Sequence, residues 1–178
     1  MVALVVVLAL VGSQADRRLA SLETLQRAPT APPLRELRDG LRQVASGRTV
    51  YVPIYSHVYA EGGREQLLEA TLSIRNTDLD QAIAITSIRY YDTDGQLLKE
   101  YLEHPVSLGP LASTDFLVEQ RDEAGGAGAN FLVEWAAETA VTEPLIEAVM
   151  VRVGGNQAFA FRSPGYPISR PGDQAQRN

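Results

Sequence analysis

The chain has 178 residues, enough for about one domain. Sixteen lysines and arginines oppose 22 acids for a net charge of −6, and 45% of residues are hydrophobic, an ordinary globular share that excludes a disordered chain. Cysteine is absent, which excludes a disulfide scaffold, a thiol nucleophile and a thiolate metal ligand.

Val2 to Val11 is an unbroken apolar run. It is shorter than the roughly 20 residues a transmembrane helix needs, and it fits the apolar core of a signal peptide. Ser13-Gln14-Ala15 places small residues at the two positions a signal peptidase reads, so residues 1–15 are expected to be removed before Asp16. A retained membrane anchor, or a buried strand or core helix, is the alternative. No Lys or Arg precedes the run, as when a start is assigned late and a few basic residues are lost. Without a cysteine after it, no bacterial lipoprotein-type attachment can follow. The expected location is periplasmic or secreted, with no transmembrane span in the mature form.

Residues 16–47 read as a linker and a short helix. Ala28-Pro29-Thr30-Ala31-Pro32-Pro33 has polyproline character. Leu34, Leu37, Leu41 and Val44 then recur at helical spacing over charged residues, which predicts a short amphipathic helix interrupted by Gly40. The helix packs on the domain edge, or meets a partner or a membrane surface.

The body, residues 48–163, reads as strand after strand and carries eight cations against seventeen acids, a balance of −9. Such a body is repelled by phosphate backbones, which argues against a nucleic-acid partner. Thr49 to Tyr55 is β-branched and aromatic, with Pro53 marking an edge or bulge. Gln66 to Asn76 alternates, with Leu68, Ala70, Leu72 and Ile74 on one face and Glu69, Thr71, Ser73 and Arg75 on the other. In Ala82 to Tyr91 the buried phase slips near Ser87, from Ile83 and Ile85 to Ile88 and Tyr90, which predicts a bulge. Asp92-Thr93-Asp94-Gly95 is a tight turn, and Gln96 to Leu102 returns as its hairpin partner. Thr114–Gln120, Asn130–Ala136, Pro144–Val153 and Gln157–Ser163 complete about seven or eight strands. The fold class expected is an all-β antiparallel sandwich. Residues 164–178, with three prolines, read as a flexible tail.

Five runs carry a resemblance. Val52-Pro53-Ile54-Tyr55-Ser56-His57-Val58-Tyr59, Leu72-Ser73-Ile74-Arg75-Asn76-Thr77-Asp78, Tyr90-Tyr91-Asp92-Thr93-Asp94-Gly95, Gly128-Ala129-Asn130-Phe131-Leu132-Val133-Glu134-Trp135 and Glu143-Pro144-Leu145-Ile146-Glu147-Ala148-Val149-Met150 resemble, in order and spacing, a bacterial family of exported domains of unknown function. The resemblance implies an exported bacterial protein and adds no activity. More loosely, the pattern is similar to immunoglobulin-like or fibronectin-type sandwiches, here with Trp135 but without the paired cysteines of true immunoglobulin domains.

Candidate chemistry is sparse. Asp92 and Asp94 resemble the opening of a calcium loop, with Asp78, Asp80 and Glu103 as further oxygens, although Gly95 comes too early for an EF-hand and a hairpin turn accounts for the same residues. His57 and His104 are the only histidines, and neither a G-x-S-x-G elbow nor an H-E-x-x-H pair is present. The glycine-rich run 124–130 lacks the Lys and Ser/Thr of a phosphate loop, so it reads as a connector or as a mobile loop flanked by Arg121, Asp122 and Glu123. Glu134 beside Trp135 is an acid next to an apolar ring, though neighbours in a strand face opposite sides. Tyr51, Tyr55 and Tyr59 recur every four residues, in a strip that serves the core and edge or a sugar or peptide.

These observations favour a non-enzymatic exported sandwich that meets a protein or glycan partner in the cell envelope. Its interaction surface is expected among Tyr55, His57, Tyr59, Asn76, Asp78, Arg121 and Asn130. A calcium- or carbohydrate-binding module using the acidic turns is the alternative, and a carboxylate-based hydrolase the third reading. No cofactor other than calcium is suggested.

Overall fold

The structure, a computed structural model, describes residues 34–37, 39–118, 125–154 and 157–169. The apolar run, the proline-rich linker and Arg121 lie outside the described residues.

Alternating β-branched and aromatic residues with polar ones gives thirteen strands and no α-helix among the described residues. They are β1 (Arg35–Glu36), β2 (Ser46–Pro53), β3 (His57–Ala60), β4 (Arg64–Leu67), β5 (Glu69–Arg75), β6 (Ile83–Tyr91) and β7 (Leu97–Glu100). The rest are β8 (Val106–Leu108), β9 (Ser113–Val118), β10 (Asn130–Ala137), β11 (Leu145–Gly154), β12 (Gln157–Pro164) and β13 (Tyr166–Ile168). One seven-stranded sheet has the order β1-β8-β6-β10-β2-β13, with β7 also on β6; a four-stranded sheet has the order β12-β11-β5-β9; β3 and β4 form a separate hairpin. All pairings are antiparallel. The result is an antiparallel sandwich, as expected, with more and shorter strands than the seven or eight anticipated.

One core joins the two sheets. Val50, Val52, Ile85, Ile88, Tyr90, Phe131, Val133 and Trp135 from the larger sheet pack in the same cluster as Leu72, Ile74, Ile146, Ala148 and Met150 from the smaller. Leu68, Ala70, Leu72 and Ile74 are all buried, as the alternation requires. The expected bulge is present. Glu134 pairs with Ser87 while Trp135 pairs with Ile85, so Thr86 is the extra residue, and the phase slip keeps Ile83, Ile85, Ile88 and Tyr90 all inside.

Two expectations about the flanks are corrected. Leu34 to Val44 is not a helix, because its backbone groups are claimed elsewhere. Arg35 and Glu36 pair with Ser107 and Val106, Leu37 N–H donates to Pro105 O at 2.7 Å, Gly40 turns the chain, and Ala45 N–H donates to Ala137 O at 2.9 Å. The body also extends past residue 163. Gly165 N–H donates to Ile146 O at 2.9 Å, and β13 then pairs with Tyr51, Val50 and Thr49 of β2. The chain thus passes from the smaller sheet to the larger at Gly165.

Candidate functional site

Asn130 pairs with both Pro53 and Tyr91, so the end of β2, the end of β6 and the start of β10 meet at one end of the sandwich. Three of the five runs singled out in the sequence converge there. The Asp92–Gly95 turn closes the β6–β7 hairpin as expected, with Gly95 at φ 78° and its N–H donating to Asp92 O at 3.1 Å. The glycine-rich loop lies against this turn. Thr93 N–H and Thr93 Oγ1 each donate to Gly125 O at 3.0 Å, and Gly128 N–H donates back to Thr93 Oγ1 at 3.0 Å. Gly125 is required by close approach, since a Cβ there would fall on the Tyr90 hydroxyl. The same loop holds the chain after β2, with Ile54 N–H donating to Ala129 O at 3.0 Å and Ser56 N–H to Gly126 O at 3.2 Å. From residue 125 onward, then, the expected flexible connector is a braced loop.

The β3–β4 hairpin leaves this braced frame, and Leu68 N–H donates to Ser56 O at 2.8 Å where it returns to β5. His57 and Tyr59 sit on it, their rings edge to face at 5.1 Å. The His57 side chain is only 15% exposed, and its Nε2 lies 3.9 Å from Glu65 Oε1, beyond hydrogen-bonding distance. Ser56 Oγ and His57 Nε2 are both buried without a hydrogen-bond partner, so these neighbours do not form a nucleophile–base pair. Tyr59 is 62% exposed. Tyr55 instead turns inward, half-buried, with its ring 6.0 Å from that of Phe161. Asn130 is half-buried in the ladder.

Sequence reasoning missed the contribution of the β11–β12 hairpin to this end. Arg152 Nη1 donates to Leu67 O at 3.3 Å, which brings the tip of that hairpin beside β4. It carries Val153, 74% exposed, and Phe159, stacked on Phe161 at 6.4 Å. The signal was present as apolar residues on both faces of a strand next to a glycine, a pattern that ordinary burial does not need.

Asn76 and Asp78 lie at the opposite end and serve the frame. Asn76 is 2% exposed, so it is not part of an interaction surface. Its Nδ2 donates to Gln81 O at 2.8 Å, Gly109 O at 2.9 Å and Leu108 O at 3.1 Å, and its Oδ1 accepts from Asp78 N–H at 3.0 Å. Asp78 accepts from the backbone N–H groups of Thr142, Gln81 and Asp80 at 2.9, 2.9 and 3.0 Å. These bonds, that from Thr142 foremost, hold its carboxyl below the ordinary range.

Of the acidic residues considered for calcium, Asp92 is occupied, and Asp78 and Asp80 lie apart from it. Asp92 Oδ1 accepts from Asp94 N–H at 2.9 Å and Gln96 N–H at 2.7 Å, so it caps its own turn. Asp78 and Asp80 are at the other end, and no three His, Asp or Glu side chains converge among the described residues. Glu134 ion-pairs with Arg89 on the outer face of the larger sheet, while Trp135 is buried on the inner face, as alternation requires. His104 is exposed in the turn before β8.

No curated protein matches the chain. The crystal structure of Thermotoga maritima 1070 is similar over 67% of this chain and 92% of its own length, at 16% identity and a TM-score of 0.42. No helix among the described residues is long and apolar enough to cross a membrane. Residues 47–168 match the family described as protein of unknown function (DUF3124), and the chain belongs to that family.

Proposed function

We propose that this protein is an exported, non-enzymatic sandwich that works in the cell envelope as an interaction module, with the end carrying Tyr59 and Val153 as its binding surface. The observation that carries the reading is the combination at that end of exposed apolar side chains and a braced frame. Loops already held by backbone hydrogen bonds lose little entropy when a partner docks, and large exposed apolar groups supply the contact. Four carboxylates that work in the frame support a non-catalytic role: Asp92 in its turn, Asp78 on three amides, Glu134 with Arg89 and Glu147 with Arg162. Val2 to Val11 supports export.

The test is site-specific photo-crosslinking in cells. A crosslinking amino acid replaces Tyr59 in one full-length variant and Leu111, at the opposite end, in another. The expected result is discrete adducts from position 59 in the envelope fraction and none from position 111. Adducts from position 111 alone, or protein confined to the cytosol, would overturn the proposal.

A further inference from the structure

The free edge of β12 has the chemistry of a strand waiting for a partner. β12 is eight residues long and runs without a bulge against β11, from Gln157 opposite Gly154 to Pro164 opposite Glu147. Its other side faces no strand among the described residues, and Ala158, Ala160 and Arg162 are exposed. Natural sheets guard such edges with lysine, inward charges, bulges or proline within the ladder. β12 has proline only at its last position, and its one charge, Arg162, is held by Glu147 at 2.9 Å. Both faces beside the edge are apolar. Ala158 and Ala160 lie opposite the exposed Val153 and Val151 on the outer face, and Phe159, 37% exposed, stacks on Phe161 on the other.

The geometry points to a second copy of this chain as the occupant, paired antiparallel through β12 about a two-fold axis at Ala160. The sequence around that residue is its own mirror, Phe159-Ala160-Phe161. Residues directly opposite in an antiparallel pair share a face, so the axis sets Ala160 against Ala160, Phe159 against Phe161 and Arg162 against Ala158 of the second copy. The four phenylalanines then lie together on one face. The two Arg162 residues fall four positions apart along the pair, about 13 Å, beyond the screening length of about 8 Å at physiological salt. With the axis at 159 or 161 only one phenylalanine of each copy meets another, at 158 or 162 none does, and 162 also opposes the two arginines, so the axis at Ala160 is the one that pairs all four.

Sedimentation of the full-length chain from micromolar to submillimolar concentration is expected to show a monomer–dimer equilibrium. Ala160→Lys, which puts like charges face to face on the axis, is expected to move the chain to monomer, while its melting curve matches that of the unmodified chain at concentrations low enough for both to be monomeric. Because the chain has no cysteine, Ala160→Cys gives a second readout. Mild oxidation should yield a disulfide-linked dimer at least tenfold faster than the same treatment of Ala158→Cys, which in this register faces Arg162, or of Val44→Cys on another surface. Crosslinking decides the matter even where the lysine variant does not fold. A monomer at every concentration, or equal crosslinking of the three cysteine variants, overturns the proposal. So does a chain that is monomeric alone yet takes up extended peptide at this edge.

Discussion

Replacing Asn76 with alanine would remove the side-chain donor to Gln81 O, Leu108 O and Gly109 O, the last of which keeps the Ala112 N–H, and would leave the Asp78 amide without its side-chain acceptor, at a site that is 2% exposed. Unpaired groups of this kind cost more than the hydrogen bonds were worth, so Asn76→Ala is expected to lose about 2–4 kcal/mol in urea unfolding, with an unchanged m-value. Asp78 acts on the same loops through its charge. Its folded-state pKa lies below the ordinary value of 3.8, so its contribution is present above that value and lost as pH falls through the folded one. Below about pH 4 the unmodified chain should therefore lose stability more steeply than Asp78→Asn, measured as urea midpoints from pH 6 down to pH 2. A parallel pair of curves would refute this. The sequence exposed both residues as turn formers after a strand. It could not separate a turn that meets a partner from one that knots three loops, because Leu108, Gly109 and Thr142 are remote in the chain.

At the level of elements, local periodicity carried far. The alternation in β5 and the slip in β6 were legible because each depends only on which side chains must face one core, and Thr86 is the residue the slip required. Leu34 to Val44 misled because apolar spacing describes a helix only when the backbone is free to close its own bonds, and here the edge of β8 and the carbonyl of Ala137 took them. The braced end of the sandwich was hidden for a related reason: its key residue, Thr93, looks like any turn threonine. Thr93→Val keeps the shape and removes the hydroxyl that both donates to Gly125 O and accepts from Gly128 N–H. Two net hydrogen bonds are worth about 1–3 kcal/mol together. The variant should lose that much, and amide exchange at Gly128 should accelerate by at least tenfold relative to amides in β10. With Asp92 already spent on its own turn, millimolar calcium is expected to leave the melting temperature unchanged. A rise of several degrees reversed by chelator would restore the cation reading.

For the whole molecule, the five runs singled out in the sequence divide between the two ends of one sandwich, and the shared core joins those ends. That division is a product of sheet order, which no local pattern states. The same holds for the closing strand. β13 has only three residues, all of them after a proline-glycine pair, and reads as tail until it is seen against β2. Its value can be measured. A chain ending at Ser163 would lose the Gly165 bond to Ile146 and the pairing with Thr49, Val50 and Tyr51, and would leave β2 as an open edge beside a central strand. The few net backbone bonds involved amount to about 1–3 kcal/mol, or roughly 3–10 °C in Tm for a chain of this size. A chain ending at Ser169 retains all of them and should melt with the full-length protein. Equal melting of both truncations would mean that β2 needs no edge cover and that the sheet closes at β2. A deficit confined to the shorter chain would make residues 165–168 an integral part of the domain, matching the span over which the family is recognised.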